Sequence, residues 1–133
     1  MPKSIRVQIH SDKDIVSARQ EGRALALTLG FSHTDSTLIA TAISELARNI
    51  VTYARRGEIR IRGIANSSRS GIQVIASDSG PGIANVRLAL QDGYSTSGSL
   101  GLGLPGVKRL VDEFELDSTV GEGTTVKIKK WKS

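Results

Sequence analysis

The chain has no cysteine among its 133 residues. That excludes a disulfide framework and any Cys-ligated zinc or iron–sulfur site. Aromatic residues make up only 4%, so the core has to be built from Ile, Val, Leu and Ala. The same scarcity leaves Trp131 as a thin platform for the base stacking that single-strand nucleic-acid binders use. His10 and His33 are the only histidines, which argues against a Ser-His-Asp system or a His-rich metal site. No apolar run approaches the roughly 18 residues that a membrane-crossing helix needs. Met1-Pro2-Lys3-Ser4 begins no signal peptide, and no G-x-x-x-x-G-K-[ST] phosphate loop occurs. Together these absences predict a cytoplasmic protein with no membrane partner.

What is present reads as a globular fold. Hydrophobic residues account for 38% and charged residues for 23%, and the length suits one domain spanning residues 1–133 with a substantial core. The formal charge is +5, with the excess in Arg55, Arg56, Arg60 and Arg62 and in the tail Lys127, Lys129, Lys130 and Lys132. Such a balance suits a polyanionic ligand or an acidic protein surface. Nucleic acid is the weaker alternative, and none is expected as a partner.

Apolar–polar alternation predicts a strand over Ile5–Ile9. Ser11-Asp12-Lys13-Asp14 then resembles an N-terminal capping box with Asp in place of Glu, opening a helix that runs to about Leu29. Thr34-Asp35-Ser36 opens a second helix ending near Arg56. Strands follow at Glu58–Ala65 and Ile72–Ser77, joined by a polar turn. A short helix is expected over Ala84–Gln91 and a Gly/Ser/Thr loop over Asp92–Leu102. Another helix starts near Leu104 and Pro105 and runs to about Phe114. Strands Phe114–Ser118 and Thr124–Trp131 close across Gly121-Glu122-Gly123. Paired strands between helices favour an α+β fold, a two-layer sandwich with helices on one face of a mixed, mostly antiparallel sheet.

Four features carry chemistry. On the second helix, Leu38, Ile39, Ala42, Ile43, Leu46, Ile50 and Tyr53 form one apolar stripe, and Glu45 and Asn49, four apart, stack at its rim. An amide oxygen suits a hard cation such as Mg²⁺, and a carboxylate there can act as a general base. Asp78 ends a strand and enters the turn Ser79-Gly80-Pro81-Gly82-Ile83, whose glycines let a ligand come close to the backbone. Gly98-Ser99-Leu100-Gly101-Leu102-Gly103-Leu104-Pro105-Gly106 matches G-x-G-x-x-G in part, but the polar run Tyr94-Ser95-Thr96-Ser97 precedes it where a dinucleotide fold needs a strand. It reads better as a lid whose N–H groups meet phosphates beside a helix start. Thr124 falls on the same strand face as Val126 and Ile128, with its hydroxyl expected near Asp78.

In this order the four features resemble the GHKL ATPase family of gyrase-type ATPases and histidine kinases. Glu45-Leu46-Ala47-Arg48-Asn49 looks like its N box, Asp78-Ser79-Gly80-Pro81-Gly82-Ile83 like its first glycine box, Gly101-Leu102-Gly103-Leu104 like its second, and Gly123-Thr124 like its last motif. With no phosphoacceptor-histidine helix pair, the chain looks like an anti-sigma-type serine/threonine kinase, closest to the RsbT-type switch kinases of the stressosome. The resemblance implies ATP and Mg²⁺ as cofactors, Glu45 as the base, Asn49 as the Mg²⁺ ligand and Asp78 as the reader of adenine. It also implies a pocket shaped by Gly80, Gly82, Ile83, Gly101, Leu102, Gly103, Leu104 and Thr124. The implied substrates are Ser/Thr of STAS-domain scaffold proteins. The implied second partner is a metal-dependent protein phosphatase activated by binding. Anti-sigma kinases often carry an arginine just before the second glycine box, whereas residues 93–103 here contain neither Arg nor Lys. An anti-sigma factor, or a module that uses nucleotide only to gate binding, is the alternative.

Overall fold

The computed structural model describes residues 4–80 and 103–132. The expected helix 84–91, the loop 92–102 and the candidates Gly82, Ile83, Gly101 and Leu102 lie outside those residues. Strand β1 (Ser4–Ile9) buries Val7 and Ile9 and exposes Arg6 and Gln8, as alternation demands. Helix α1 (Asp12–Thr28) starts where the sequence places a cap. Asp14 reaches back, its Oδ2 accepting from the backbone N–H of His10 at 2.9 Å and of Ser11 at 3.1 Å. The His10 N–H is the main reason the Asp14 carboxyl titrates below its ordinary value; desolvation opposes it, and the Ser11 hydroxyl and the His10 ring assist.

Helix α2 (His33–Asn49) begins earlier than expected. Ser32, not Thr34, is the cap, its Oγ accepting from the Asp35 N–H at 3.0 Å, so His33 lies within the helix rather than before it. The larger departure is at the other end. After Asn49 the backbone winds as a π-helical turn, Ile50–Ala54, and does not continue to Arg56. A π turn carries one more residue per hydrogen-bonded loop than an α turn, so the apolar stripe loses phase there. Ile39, Ala42, Ile43, Leu46 and Ile50 are buried as predicted. Leu38 is half-buried, and Tyr53 is 45% exposed instead of joining the stripe.

Strands β2 (Gly57–Ala65) and β3 (Ser70–Asp78) form an antiparallel hairpin. Helix α3 (Leu104–Leu110) is shorter than the predicted run to Phe114, which instead belongs to β4 (Glu113–Thr119). Strand β5 (Gly123–Trp131) returns antiparallel to β4. The five-stranded sheet has the order β1-β2-β3-β5-β4. Every ladder among the described residues is antiparallel, in keeping with the expected mostly antiparallel sheet. Strands β3 and β4 do run the same way, but β5 inserts between them, so no parallel pair forms.

One face of this sheet carries Ile59, Ile61, Ile72, Val74, Val126 and Ile128, which join Ile15, Leu25, Ile43, Leu46 and Val107 of the helices in a single buried cluster. The opposite face is charged; there Glu58 lies 3.4 Å from both Arg6 and Arg60. Burying the aliphatic face drives the two-layer arrangement, at roughly 25 cal/mol per Å² removed from water. Its consequence for function is convergence: the C-terminal end of α2, the end of β3 and the start of β5 meet at one edge of the core.

Candidate functional site

Asp78 ends β3 beside Thr124 of β5 on one side and Gly57 of β2 on the other. Its Oδ1 accepts from the Gly80 N–H at 2.9 Å and from the Thr124 N–H at 3.3 Å. Both bonds use the same oxygen, so among the described residues Oδ2 is the one left to accept from a ligand. The carboxylate is thus fixed by two backbone donors through one oxygen, with its second oxygen without a partner among the described residues. Asp78 also lines the wall of an open groove of about 640 Å³ at the strand ends, with His10, Arg56, Glu58, Ser77 and Ser79.

Two glycines make this approach possible. Gly123 has φ +126°, a region that side chains disfavour, and a Cβ there would run into the Asp78 carbonyl oxygen. A Cβ on Gly80 would lie 2.6 Å from the Ala54 Cβ and 3.1 Å from Asp78 Oδ1. Gly80 belongs to the turn that the sequence predicts. Gly123 belongs to a predicted motif but not to the predicted site residues, and Ala54 carries no signal in the sequence. Gly123 had a signal, its place between Glu122 and the first residue of a predicted strand.

Thr124 lies where expected but acts differently. Its backbone N–H reaches Asp78, while its hydroxyl pairs with Ser118 Oγ at 2.8 Å. Ser118 also donates to the Gly123 carbonyl at 3.2 Å. Ser118, a further residue that sequence reading passed over, therefore ties β4 to the start of β5.

On α2, Glu45 and Asn49 stand one turn apart, both half-buried. The Glu45 side chain is 13% exposed, and its Oε1 accepts from Arg48 Nη1 at 3.1 Å. Burial pushes the Glu45 carboxyl above its ordinary value, and the Arg48 guanidinium pulls the other way. Desolvation suits the carboxylate to taking a proton, while the nearby cation favours its ionised form. Asn49 is the last α-helical residue before the π turn. No group of three His, Cys, Asp or Glu side chains is placed to hold a metal among the described residues. The Asn49 amide oxygen fits a hard cation that keeps most of its ligands as waters and phosphate oxygens.

Gly103 caps α3, its carbonyl accepting from Gly106 at 3.0 Å and Val107 at 3.2 Å. Leu104 is buried in the core cluster, and α3 packs against α2. Thus Gly80 and Thr124 both bond Asp78, Glu45 and Asn49 lie one turn apart on α2, and Gly103–Leu104 begin the helix that packs against α2. Gly82, Ile83, Gly101 and Leu102 lie outside the described residues.

A family model for the histidine kinase-like ATPase domain matches residues 10–130. The chain belongs to that family. Among histidine kinase-like ATPases, it is 54% identical to the serine/threonine-protein kinase RsbT of Bacillus subtilis over 125 residues, covering 94% of each chain. It is 34% identical to an anti-sigma F factor of Caldanaerobacter subterraneus over 99 residues, 70% of this chain and 68% of that protein. The fold matches a crystal structure of the RsbU and RsbW domains of a Mycobacterium tuberculosis protein with a TM-score of 0.64 at 22% identity, covering 98% of this chain and 32% of that one. This ATPase-family domain thus shares most of its length with RsbT, and no helix among its described residues is long and apolar enough to cross a membrane.

Proposed function

We propose a specific reaction for this RsbT-like serine/threonine kinase: transfer of the γ-phosphoryl group of Mg-ATP to a Ser or Thr hydroxyl of a STAS-domain protein. The observation that carries it is the pairing of a half-buried carboxylate of raised pKa, Glu45, with Asn49 one turn later. Glu45 takes the proton of the acceptor hydroxyl as its oxygen bonds to the γ-phosphorus. The bond to the bridging oxygen breaks, leaving ADP and a phosphorylated side chain. Asn49 would hold Mg²⁺, which neutralises charge on the phosphates when bound. Asp78 Oδ2 accepts from the exocyclic amine of adenine, while Oδ1 stays tied to Gly80 and Thr124. Arg48 holds the base partly in its ionised form through the 3.1 Å pair.

One domain carries this activity on our reading. After phosphorylating its substrate, the kinase would leave it and activate a metal-dependent protein phosphatase by binding. The similarity to RsbT supports this role in bacterial stress signalling, inside the cell. A second reading is favoured by the anti-sigma F relatives: a nucleotide-gated binding protein with little transfer.

The test is calorimetric titration with Mg-ATP of the protein and of Asp78→Asn. Asparagine keeps an Oδ1 acceptor for Gly80 and Thr124 but loses the charge and adds an N–H donor toward the ligand. Saturable binding by the protein and its loss in a folded Asp78→Asn supports the site. Equal binding by both would remove Asp78 from it. Transfer of labelled phosphate to a STAS-domain protein then separates kinase from gated binder.

A further inference from the structure

The backbone that follows Asn49 has a job of its own. A π turn interrupts a helix where tertiary contacts demand it, and such turns gather at functional sites. Here it spans Ile50–Ala54 and is followed by Arg55 at φ 73°, a conformation uncommon for a residue with a Cβ. An unusual backbone of this kind persists only when its surroundings hold it, and it invites a functional explanation. What this backbone achieves is to bring Ala54 against the turn that follows Asp78.

The fit is close. A Cβ added to Gly80 would meet the Ala54 Cβ at 2.6 Å and the Ala54 Cα at 2.9 Å, both nearer than carbon atoms pack. Gly80 in turn donates its N–H to Asp78 Oδ1 at 2.9 Å. The chain of contacts runs from the π turn through Ala54 to Gly80 and on to the carboxylate. Ala54 supplies the two atoms nearest to that added Cβ, ahead of Asp78 Oδ1 at 3.1 Å.

We propose that Ala54 is a positioning residue for base selection: by bracing Gly80 it fixes the orientation of the Asp78 carboxylate, and so sets the preference for adenine over other purines. The π turn also links Asn49 to the Asp78 turn, since Ala54, which lies against Gly80, comes five positions after Asn49. This inference rests on the reading of Asp78 as the group that meets the base.

The experiment compares the affinities of the full chain for Mg-ATP and Mg-GTP in wild type, Ala54→Gly and Ala54→Val, with circular dichroism to show that each is folded. A loss of stability alone weakens both nucleotides together, so the ATP-to-GTP ratio is the informative quantity. Ala54→Gly removes the brace, and Ala54→Val pushes the turn. Each should lower the ratio at least fivefold. If Ala54→Val does not fold, Ala54→Gly decides alone. A wild type that prefers ATP, with folded variants whose ratio falls by less than fivefold, overturns the inference while leaving the proposed function intact. A folded wild type that binds neither nucleotide overturns both.

Discussion

The Thr124 backbone N–H reaches 46 residues back along the chain to donate to Asp78 Oδ1 at 3.3 Å. That bond exists because Gly123, just before it, has no side chain to hold the strands apart. At φ +126° and facing the Asp78 carbonyl, Gly123→Ala faces both backbone strain and a collision. We expect a loss of roughly 2 kcal/mol or more in unfolding free energy, together with weakened nucleotide binding. Urea denaturation followed by far-ultraviolet circular dichroism measures it; an unchanged midpoint and slope would show that the strand ends adjust freely.

Glu45 offers a pH-dependent pair of outcomes. Its folded-state pKa is raised, chiefly by desolvation, with Arg48 acting in the opposite sense. The protonated form is therefore the one that the fold favours. Stability from this group is fully present below its unfolded value and is lost as pH rises through the higher folded value. Glu45→Gln should accordingly be more stable than wild type at pH 7, with the advantage vanishing in acid below the ordinary carboxylate range. The same variant should bind ATP and fail to transfer phosphate. In wild type the transfer rate should fall as pH drops through a pKa above the ordinary 4.5. Melting curves and single-turnover rates across pH test both arms, and wild-type transfer by Glu45→Gln would sink the assignment of the base.

Asn49→Ala separates metal from nucleotide. If the amide oxygen is a Mg²⁺ ligand, wild type should bind ATP more tightly with Mg²⁺ than with a chelator, whereas Asn49→Ala should show about the same affinity in both. A loss of one charge-assisted or ligand contact of this size corresponds to about tenfold, or 1.4 kcal/mol. The readout is a pair of titrations for each protein. A Mg²⁺ effect as large in the variant as in wild type would place the ion elsewhere.

Much of the architecture could be read before any coordinates, because it rests on short-range signals. The capping acid Asp14, the alternation of Val7 with Ile9, and the stripe from Ile39 to Leu46 are local patterns, and each appears where it was expected. The π turn could not be read. Ile50 and Tyr53 continue a helical period in sequence, whereas the structure winds Ile50–Ala54 as a π turn that sets Ala54 beside Gly80. The strand order was also out of reach, since it depends on β5 inserting between β3 and β4. At the candidate site, residue type and spacing alone were enough to single out Glu45, Asn49 and Asp78 as the residues we propose for the chemistry. The bond between the Thr124 hydroxyl and Ser118, six residues earlier, was not legible, because it depends on how β4 and β5 pair.

The strand order has a consequence for how the protein comes to life. Strand β5 is synthesised after the other four, yet it occupies an interior place between β3 and β4. A nascent chain that has emerged only through β4 therefore has an open seam beside Asp78 and lacks the Thr124 donor. Pairing across so long a stretch of chain is a slow, late event. Nucleotide affinity should then appear all at once with the docking of β5, so that ATP acts as a ligand of the finished fold and stabilises that state alone by mass action.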